Sequence, residues 1–412
     1  MARSPGNVRF KAARLAAGYV SQQALVKALA ALNCHVDVRQ VRRWESDTPP
    51  WPHSGAQQAL TELLGQDIEQ LGFAPPAGHD RTVAVRRTQL APAASGPRVS
   101  IQNVTAAQPA SAGADYVAVT RAHRRLYWTV APAILHPATV AHGTLGTALL
   151  PATAGATRKA VAGALAESLL LTGRIEFFDL RQSDPAVDTW LRALQAAGEA
   201  DDALMGAATL AHMAFVPGWA KNRAGAAERM VMARTYARRG PASAPFLAWL
   251  DAVEAECETR CGRTREALNL IAHGEDVLAA GTEHSDPEWM DWFSPTRLAA
   301  FKGHTQLIAG HLPQARETLL DVLECLPADA DKQRTVVLAD LAAVEAAAGQ
   351  PDVACGYALR ALAQLETHWY ATGMERIREV RRALAPWQAE QCVRDLDDQL
   401  YGWGATLSAL TR

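Results

Sequence analysis

Apolar and polar positions alternate along most of this chain with the periodicity of amphipathic helices. Runs of β-branched residues are short, and glycine and proline fall between the apolar runs rather than within them. Together these features predict an all-α fold. The small residues between apolar runs also predict tight turns that join neighbouring helices.

The carboxyl-terminal part of the chain, from residue 115 to residue 412, repeats this pattern. Its helical segments are punctuated by glycines spaced roughly 39 to 48 residues apart. These glycines are Gly173, Gly218, Gly262, Gly310 and Gly349. The best copies, at 261–271, 309–320 and 348–359, share a glycine, four residues and then an alanine. They resemble tetratricopeptide-type repeats, although the period exceeds the usual length of about 34 residues. The resemblance implies an α-solenoid of tetratricopeptide-like helix pairs.

Composition divides the chain into three parts. Residues 1–74 hold several short helical segments, residues 75–114 are rich in alanine, proline, glycine and serine, and residues 115–412 hold the repeats. We interpret the middle part as a linker. Its segment TVAVRRTQL, at 82–90, has some alternation but no strand with which to pair, so we interpret it as coil.

Charge is unevenly distributed, although the formal net charge is only −2. Residues 1–45 contain about eight Lys or Arg residues against two acids, Asp37 and Glu45. This end is therefore the one expected to face a polyanion. We find no apolar run long enough to cross a membrane and no signal peptide, and the six scattered cysteines indicate a reducing compartment. We therefore expect a cytoplasmic protein with no membrane role.

Motifs for catalysis or metal binding are not evident. Cys257 and Cys261 lie four residues apart, but no second Cys or His pair follows at a spacing typical of zinc sites. We interpret them as buried thiols. The sequence contains no HExxH and no GxSxG motif. We therefore predict no metal, no cofactor and no enzymatic activity.

The most informative segment is SQQALVKALAALNCHVDVRQVRRWES at 21–46. Ser21 is placed to cap a helix beginning at Gln22, and Asp37 to cap a second helix that buries Val41 and Trp44. The second helix then leaves four polar side chains on its outer surface: Arg39, Gln40, Arg42 and Arg43. Arginine and glutamine pair bidentately with guanine and adenine, and Ser21, Gln22 and Arg42 are suited to phosphate contacts.

This segment resembles the lambda-repressor-like, or Xre-type, helix-turn-helix family in its S-Q-x-A-L start and its V-R-x-V-R-R-W-E pattern. The resemblance covers about 70 residues and implies a recognition helix at about 37–46 in the major groove. It implies base contacts from Val38, Arg39 and Arg43, and backbone contacts from Gln22, Gln40 and Arg42. The connection AALNCHV is longer than is usual in the family.

Together these features predict a sequence-specific transcription regulator that binds double-stranded DNA as a homodimer. Its repeat domain would hold the dimer and sense a peptide or small-molecule effector. The main alternative is a helical-repeat adaptor for a protein partner, with only non-specific attraction to nucleic acid. In that case Arg39, Arg42 and Arg43 merely solvate a surface helix.

Two aromatic clusters are candidates for effector binding. One comprises Trp289, Trp292 and Phe293, and the other comprises Trp369 and Tyr370. The simpler interpretation, which we favour from the sequence, is that both fill junctions between helices. The basic and aromatic segment RAHRRLYW at 121–128 is interpreted as the first repeat helix, with Leu126, Tyr127 and Trp128 in the core.

Overall fold

The computed structural model describes residues 6–17, 19–32, 34–74 and 108–410. The chain divides into two compact units, residues 1–100 and 101–412. Within the described residues there are eighteen α-helices and no strand, so the fold is all-α as predicted. None of the helices in these ranges is long and apolar enough to span a membrane. Segment 82–90 and most of the predicted linker lie outside the described residues.

The first unit consists of four short helices: α1 (Val8–Ala16), α2 (Gln22–Ala31), α3 (Val38–Trp44) and α4 (Ser54–Leu64). Their core is closed by three aromatic rings in edge-to-face contact. The ring centroids of Phe10 and Trp44 are 5.9 Å apart, and Phe73 lies 5.4 Å from Phe10 and 6.3 Å from Trp44. Because Trp44 is fully buried at the end of α3, it anchors that helix to α1 and to the end of the unit.

The two predicted helix caps of this unit are confirmed. The Ser21 hydroxyl accepts a hydrogen bond from the amide of Ala24 at 3.1 Å, and the Asp37 carboxylate accepts one from the amide of Gln40 at 2.8 Å. Each cap satisfies an amide that has no partner within its helix. The sequence therefore fixes where α2 and α3 begin.

The second unit contains fourteen helices within its described residues. They are α5 (Ala110–Leu126), α6 (Pro132–Leu149), α7 (Gly155–Arg174), α8 (Ser183–Ala200), α9 (Ala203–Trp219), α10 (Arg223–Ala237), α11 (Ala244–Arg260), α12 (Thr264–Ala280), α13 (Pro295–Ile308), α14 (Leu312–Cys325), α15 (Asp331–Ala347), α16 (Pro351–Thr367), α17 (Ala371–Ala383) and α18 (Gln391–Leu410). A π-helical turn, Ile175–Asp179, directly follows α7.

These helices form an inner and an outer layer. Each odd-numbered helix from α7 to α15 packs mainly against the even-numbered helix that follows it, and the odd-numbered helices α7 to α17 also contact one another in succession. Outer helices bury a single stripe, as α14 does with Ala315, Leu319 and Val322. Inner helices such as α9 are buried on nearly every side. The inner layer therefore forms the core of the unit.

Five turns between an inner and an outer helix share one conformation. The turn residue has a positive φ, and the residue five positions later is a buried alanine. The pairs are Arg181 and Ala186, Lys221 and Ala226, Gly262 and Ala267, Gly310 and Ala315, and Gly349 and Ala354. The three copies found in the sequence are thus joined by two in which the turn residue is not glycine.

The first two glycines of the predicted series have a different role. We expected Gly173 and Gly218 to end helices, but they lie inside α7 and α9. A Cβ on Gly173 would lie 2.3 Å from Nε1 of Trp190, and one on Gly218 would lie 2.7 Å from Sγ of Cys257. Only glycine fits at these two positions, because a neighbouring side chain approaches the helix backbone closely.

Candidate functional site

The first candidate site is the outer surface of α3 in the first unit. Val41 and Trp44 are buried, whereas Arg39, Arg42 and Arg43 are exposed. The predicted Val38 and Gln40 are half-buried at the start of the helix. The three arginines therefore project from a helix that is fixed in place by its opposite face.

A chain of polar contacts joins α3 to α1 and α2. Arg42 Nε donates to Gln22 Oε1 at 3.2 Å, and Gln22 Nε2 donates to Glu45 Oε2 at 2.6 Å. The other Glu45 oxygen accepts a hydrogen bond from Arg14 Nε at 2.7 Å, and Arg14 is itself buried. Gln22 thus orients Arg42 in addition to any contact that it makes with a ligand. Arg39 and Arg43 make no side-chain hydrogen bond or ion pair within the described residues.

The positive charge of this unit is concentrated on exposed side chains. Besides the three arginines of α3, Lys11 and Lys27 are exposed on α1 and α2. The acid that lies within the arginine network, Glu45, is already paired with Arg14. The surface of α3 therefore carries an unbalanced positive charge that is suited to a polyanion.

The second candidate site is an aromatic cavity of about 100 Å³ in the second unit. Every inner helix from α7 to α17 contributes to it, as do the end of α5 and the segment between α12 and α13. Ten of its lining residues are aromatic: Tyr127, Trp128, Phe178, Phe215, Trp219, Trp249, Trp292, Phe293, Phe301 and Tyr370. An apolar lining that also contains a few charged groups is typical of small-molecule sites.

Buried ion pairs hold the walls of this cavity together. Lys332 Nζ of α15 donates to Asp179 Oδ1 of the π-helical turn at 2.8 Å. Burial raises the pKa of Asp179 and lowers that of Lys332, while each charge opposes the shift of the other. On the other side, Arg376 Nη1 donates to Asp340 Oδ1 at 2.7 Å.

Two further charged or ionisable residues of the cavity have shifted pKa values. Burial raises the pKa of Glu256, but the charge of Arg260, the nearby His304 and the charge of Arg376 together outweigh this effect and lower the pKa to about 2. Burial and the charge of Arg174 lower the pKa of His212 to about 3. His212 is therefore neutral at neutral pH, and Glu256 is ionised.

The predicted aromatic residues are only partly brought together. Trp292, Phe293 and Tyr370 line the cavity. Trp289 stacks on Trp292 from outside the lining, with ring centroids 5.5 Å apart. Trp369 packs on Trp403, and its indole nitrogen donates to the Asp179 carbonyl at 3.2 Å.

The segment at 121–128 differs from its prediction at its end, where α5 stops at Leu126. Leu126 is 40% exposed rather than in the core, and α5 ends at this residue. Tyr127 is buried and Trp128 half-buried, both at the cavity wall. Both residues reach the cavity from the turn that follows α5. Helical spacing alone did not predict this position.

The cysteine pair adds no chemistry to the cavity. Cys257 is buried as predicted, its thiol donates to the Ala214 carbonyl at 3.6 Å, and burial raises its pKa well above the usual value. Cys261, also predicted to be buried, is only half-buried because it lies just after the end of α11. Among the described residues, no group of three His, Cys, Asp or Glu side chains is arranged to hold a metal ion.

Comparison with known proteins gives no family assignment. No family model matches the sequence, and no curated protein matches it significantly.

Proposed function

We propose that this protein is a sequence-specific transcription regulator that acts in the cytoplasm on double-stranded DNA. Residues 6–74 would serve as an Xre-type helix-turn-helix domain with α3 as its recognition helix. The second unit would serve as a tetratricopeptide-like α-solenoid that senses an effector and holds a homodimer.

The exposed arginine surface of α3 is the observation that carries this proposal. A seven-residue helix anchored by Trp44 presents Arg39 and Arg43 with no side-chain partner among the described residues. Gln22 holds Arg42 at the start of α2. This arrangement suits a helix that enters the major groove with bases read by Arg39 and Arg43, while Arg42 contacts a phosphate.

The test is selection of bound sequences from a random DNA pool by the full chain. An Arg39→Ala, Arg43→Ala variant removes the two side chains assigned to bases. A Lys11→Ala, Lys27→Ala variant removes the same charge from exposed lysines on α1 and α2. We expect an enriched inverted repeat that only the arginine variant fails to select, because each bidentate base contact is worth about 1–3 kcal/mol of discrimination.

The alternative adaptor function predicts a different result. Both double variants would then weaken binding equally on all sequences, and added salt would remove the remaining affinity. A pool with no enriched motif, together with equal losses in the two variants, would refute the proposed regulator.

A further inference from the structure

Arg174 is a buried cation without a counterion. Its side chain lies at the end of α7, is 7% exposed and lines the aromatic cavity. Within the described residues it makes no side-chain hydrogen bond and no ion pair. Burial of an uncompensated charge is costly, so such a group calls for a physical reason.

Aromatic rings surround the Arg174 guanidinium. Its central carbon lies 4.5 Å from the ring centroid of Trp292, 4.8 Å from that of Tyr127 and 5.9 Å from that of Trp128. Cation–π contacts of this kind stabilise the charge and fix its position. They take none of the five N–H donors of the guanidinium in a hydrogen bond, so these donors remain for another partner.

The nearby acids do not fill this role. Asp179 is held by Lys332 at 2.8 Å, and Arg174 affects its pKa only as a smaller, longer-range influence. Glu256 is bound by Arg260 at 2.8 Å and Asp340 by Arg376 at 2.7 Å. The positive charge of Arg174 is therefore not neutralised by any of these three acids.

A second guanidinium adds to this surplus. Arg297 of α13 also lines the cavity and has no ion pair in the described part of the chain. It contacts the Phe301 ring, with its guanidinium carbon 5.4 Å from the ring centroid. Because His212 is neutral, the excess charge in the cavity comes from Arg174 and Arg297.

The backbone that places Arg174 is unusual as well. The π-helical turn Ile175–Asp179 follows it directly, and such turns occur frequently at functional sites. Thr372 Oγ1 donates to the Phe178 carbonyl at 3.0 Å, and Trp369 Nε1 donates to the Asp179 carbonyl. The segment before α17 thus holds the turn that follows Arg174.

We propose that this cavity binds a small aromatic carboxylate, with the carboxylate on Arg174 and the ring among the aromatic side chains. A planar guanidinium matches a carboxylate through two parallel hydrogen bonds, and the apolar walls suit a ring. The inference rests on the proposed function only in naming this ligand as the effector, since the binding itself does not require DNA.

The experiment is titration calorimetry of the full chain, without DNA, against phenylacetate, salicylate, 4-hydroxybenzoate and indole-3-acetate. The amide of each acid, which has the same ring but no charge, is the ligand control. We expect saturable binding of at least one acid and at least tenfold weaker binding of its amide. Phenyl phosphate tests the other common oxyanion.

Three arginine variants separate binding from folding. Arg174→Met should weaken binding of the acid by about 10- to 100-fold, the worth of a charge-assisted hydrogen bond, and Arg174→Lys should weaken it less. Arg260→Met is the matched control, because Arg260 lies 3.7 Å from the Trp219 ring but pairs with Glu256. Without ligand, Arg174→Met should leave the Tm unchanged or raise it, whereas Arg260→Met should lower it.

Several outcomes would overturn the proposal: no acid binds, an amide binds as tightly as its acid, phenyl phosphate binds more tightly than every acid, or Arg174→Met binds as wild type does. Binding of the acid by the Arg39→Ala, Arg43→Ala variant is expected to be unchanged. If the acid binds but no DNA motif is selected, the regulator function fails while the carboxylate site stands.

Discussion

The ionised Glu256 side chain allows a quantitative prediction about the stability of the second unit. Its side chain is 3% exposed, accepts a hydrogen bond from Arg260 Nε at 2.8 Å and lies 3.5 Å from Arg376 Nη2. Burial opposes its ionisation, but the surrounding positive charges lower the pKa from 4.5 to about 2. The ionised form of Glu256 is therefore more stable, relative to the protonated form, in the folded state than in the unfolded state.

The magnitude follows from linkage. A shift of this size at about 1.4 kcal/mol per pKa unit corresponds to about 3 kcal/mol. Because the folded pKa is the lower one, this stability is fully present above pH 4.5 and is lost as the pH falls towards 2. We expect Glu256→Gln to reduce the free energy of unfolding by about 3 kcal/mol at pH 7 and to flatten the loss at acid pH.

Urea unfolding of the full chain, followed by tryptophan fluorescence at several pH values from 7 to 3, measures both effects. Glu199→Gln is the control, because the Glu199 side chain is 50% exposed in its pair with Arg158. It should cost less than about 1 kcal/mol at any pH. A loss below about 1 kcal/mol in Glu256→Gln, or an acid profile equal to that of the wild type, would refute the reasoning.

Substitutions at Gly173 and Lys221, each with a control, test a helix contact and a turn of the second unit. Gly173→Ala should destabilise it by about 1–3 kcal/mol in urea unfolding, since the added Cβ would clash with Trp190. Gly198→Ala, where that atom meets nothing within 4 Å, should be neutral or slightly stabilising, and equal effects would contradict the clash. Lys221→Gly should raise stability by up to about 1 kcal/mol by relieving a φ of 57°, while Lys221→Ala, measured in the same way, should not. A loss in Lys221→Gly would show that the lysine side chain matters more than its backbone strain.

Local features of the fold were predictable from the sequence because their causes are local. The caps at Ser21 and Asp37 depend on residues three positions apart, and the buried face of α3 depends on the spacing of Val41 and Trp44. The all-α class follows from the same kind of periodicity. These signals act within one or two helical turns, so a single sequence contains all the information that they require.

The repeat pattern was only partly predictable, for a conformational reason. Glycine marks a left-handed turn because it adopts positive φ without strain, and Gly262, Gly310 and Gly349 do so. Arg181 and Lys221 adopt the same conformation at a cost of about 1–2 kcal/mol each. The residue type of Arg181 or Lys221 does not indicate a left-handed turn. The alanines Ala186 and Ala226, five positions later, do indicate it, because the repeats that have glycine in the turn have a buried alanine at the same distance.

The aromatic cavity was only partly predictable. Trp292, Phe293 and Tyr370 were candidates from the sequence, but most of the lining residues meet only through the packing of the whole inner layer. Tyr127 and Arg376, at opposite ends of the lining, are 249 positions apart in the sequence. The contacts that bring the ends together, Lys332 to Asp179 and Thr372 to Phe178, are equally long-range. Nothing near Arg174 in the sequence shows that Asp179, Glu256 and Asp340 are each bound by another cation. Its lack of a counterion is a property of the assembled layer, and for that reason it indicates a charge for the ligand, which the sequence alone did not.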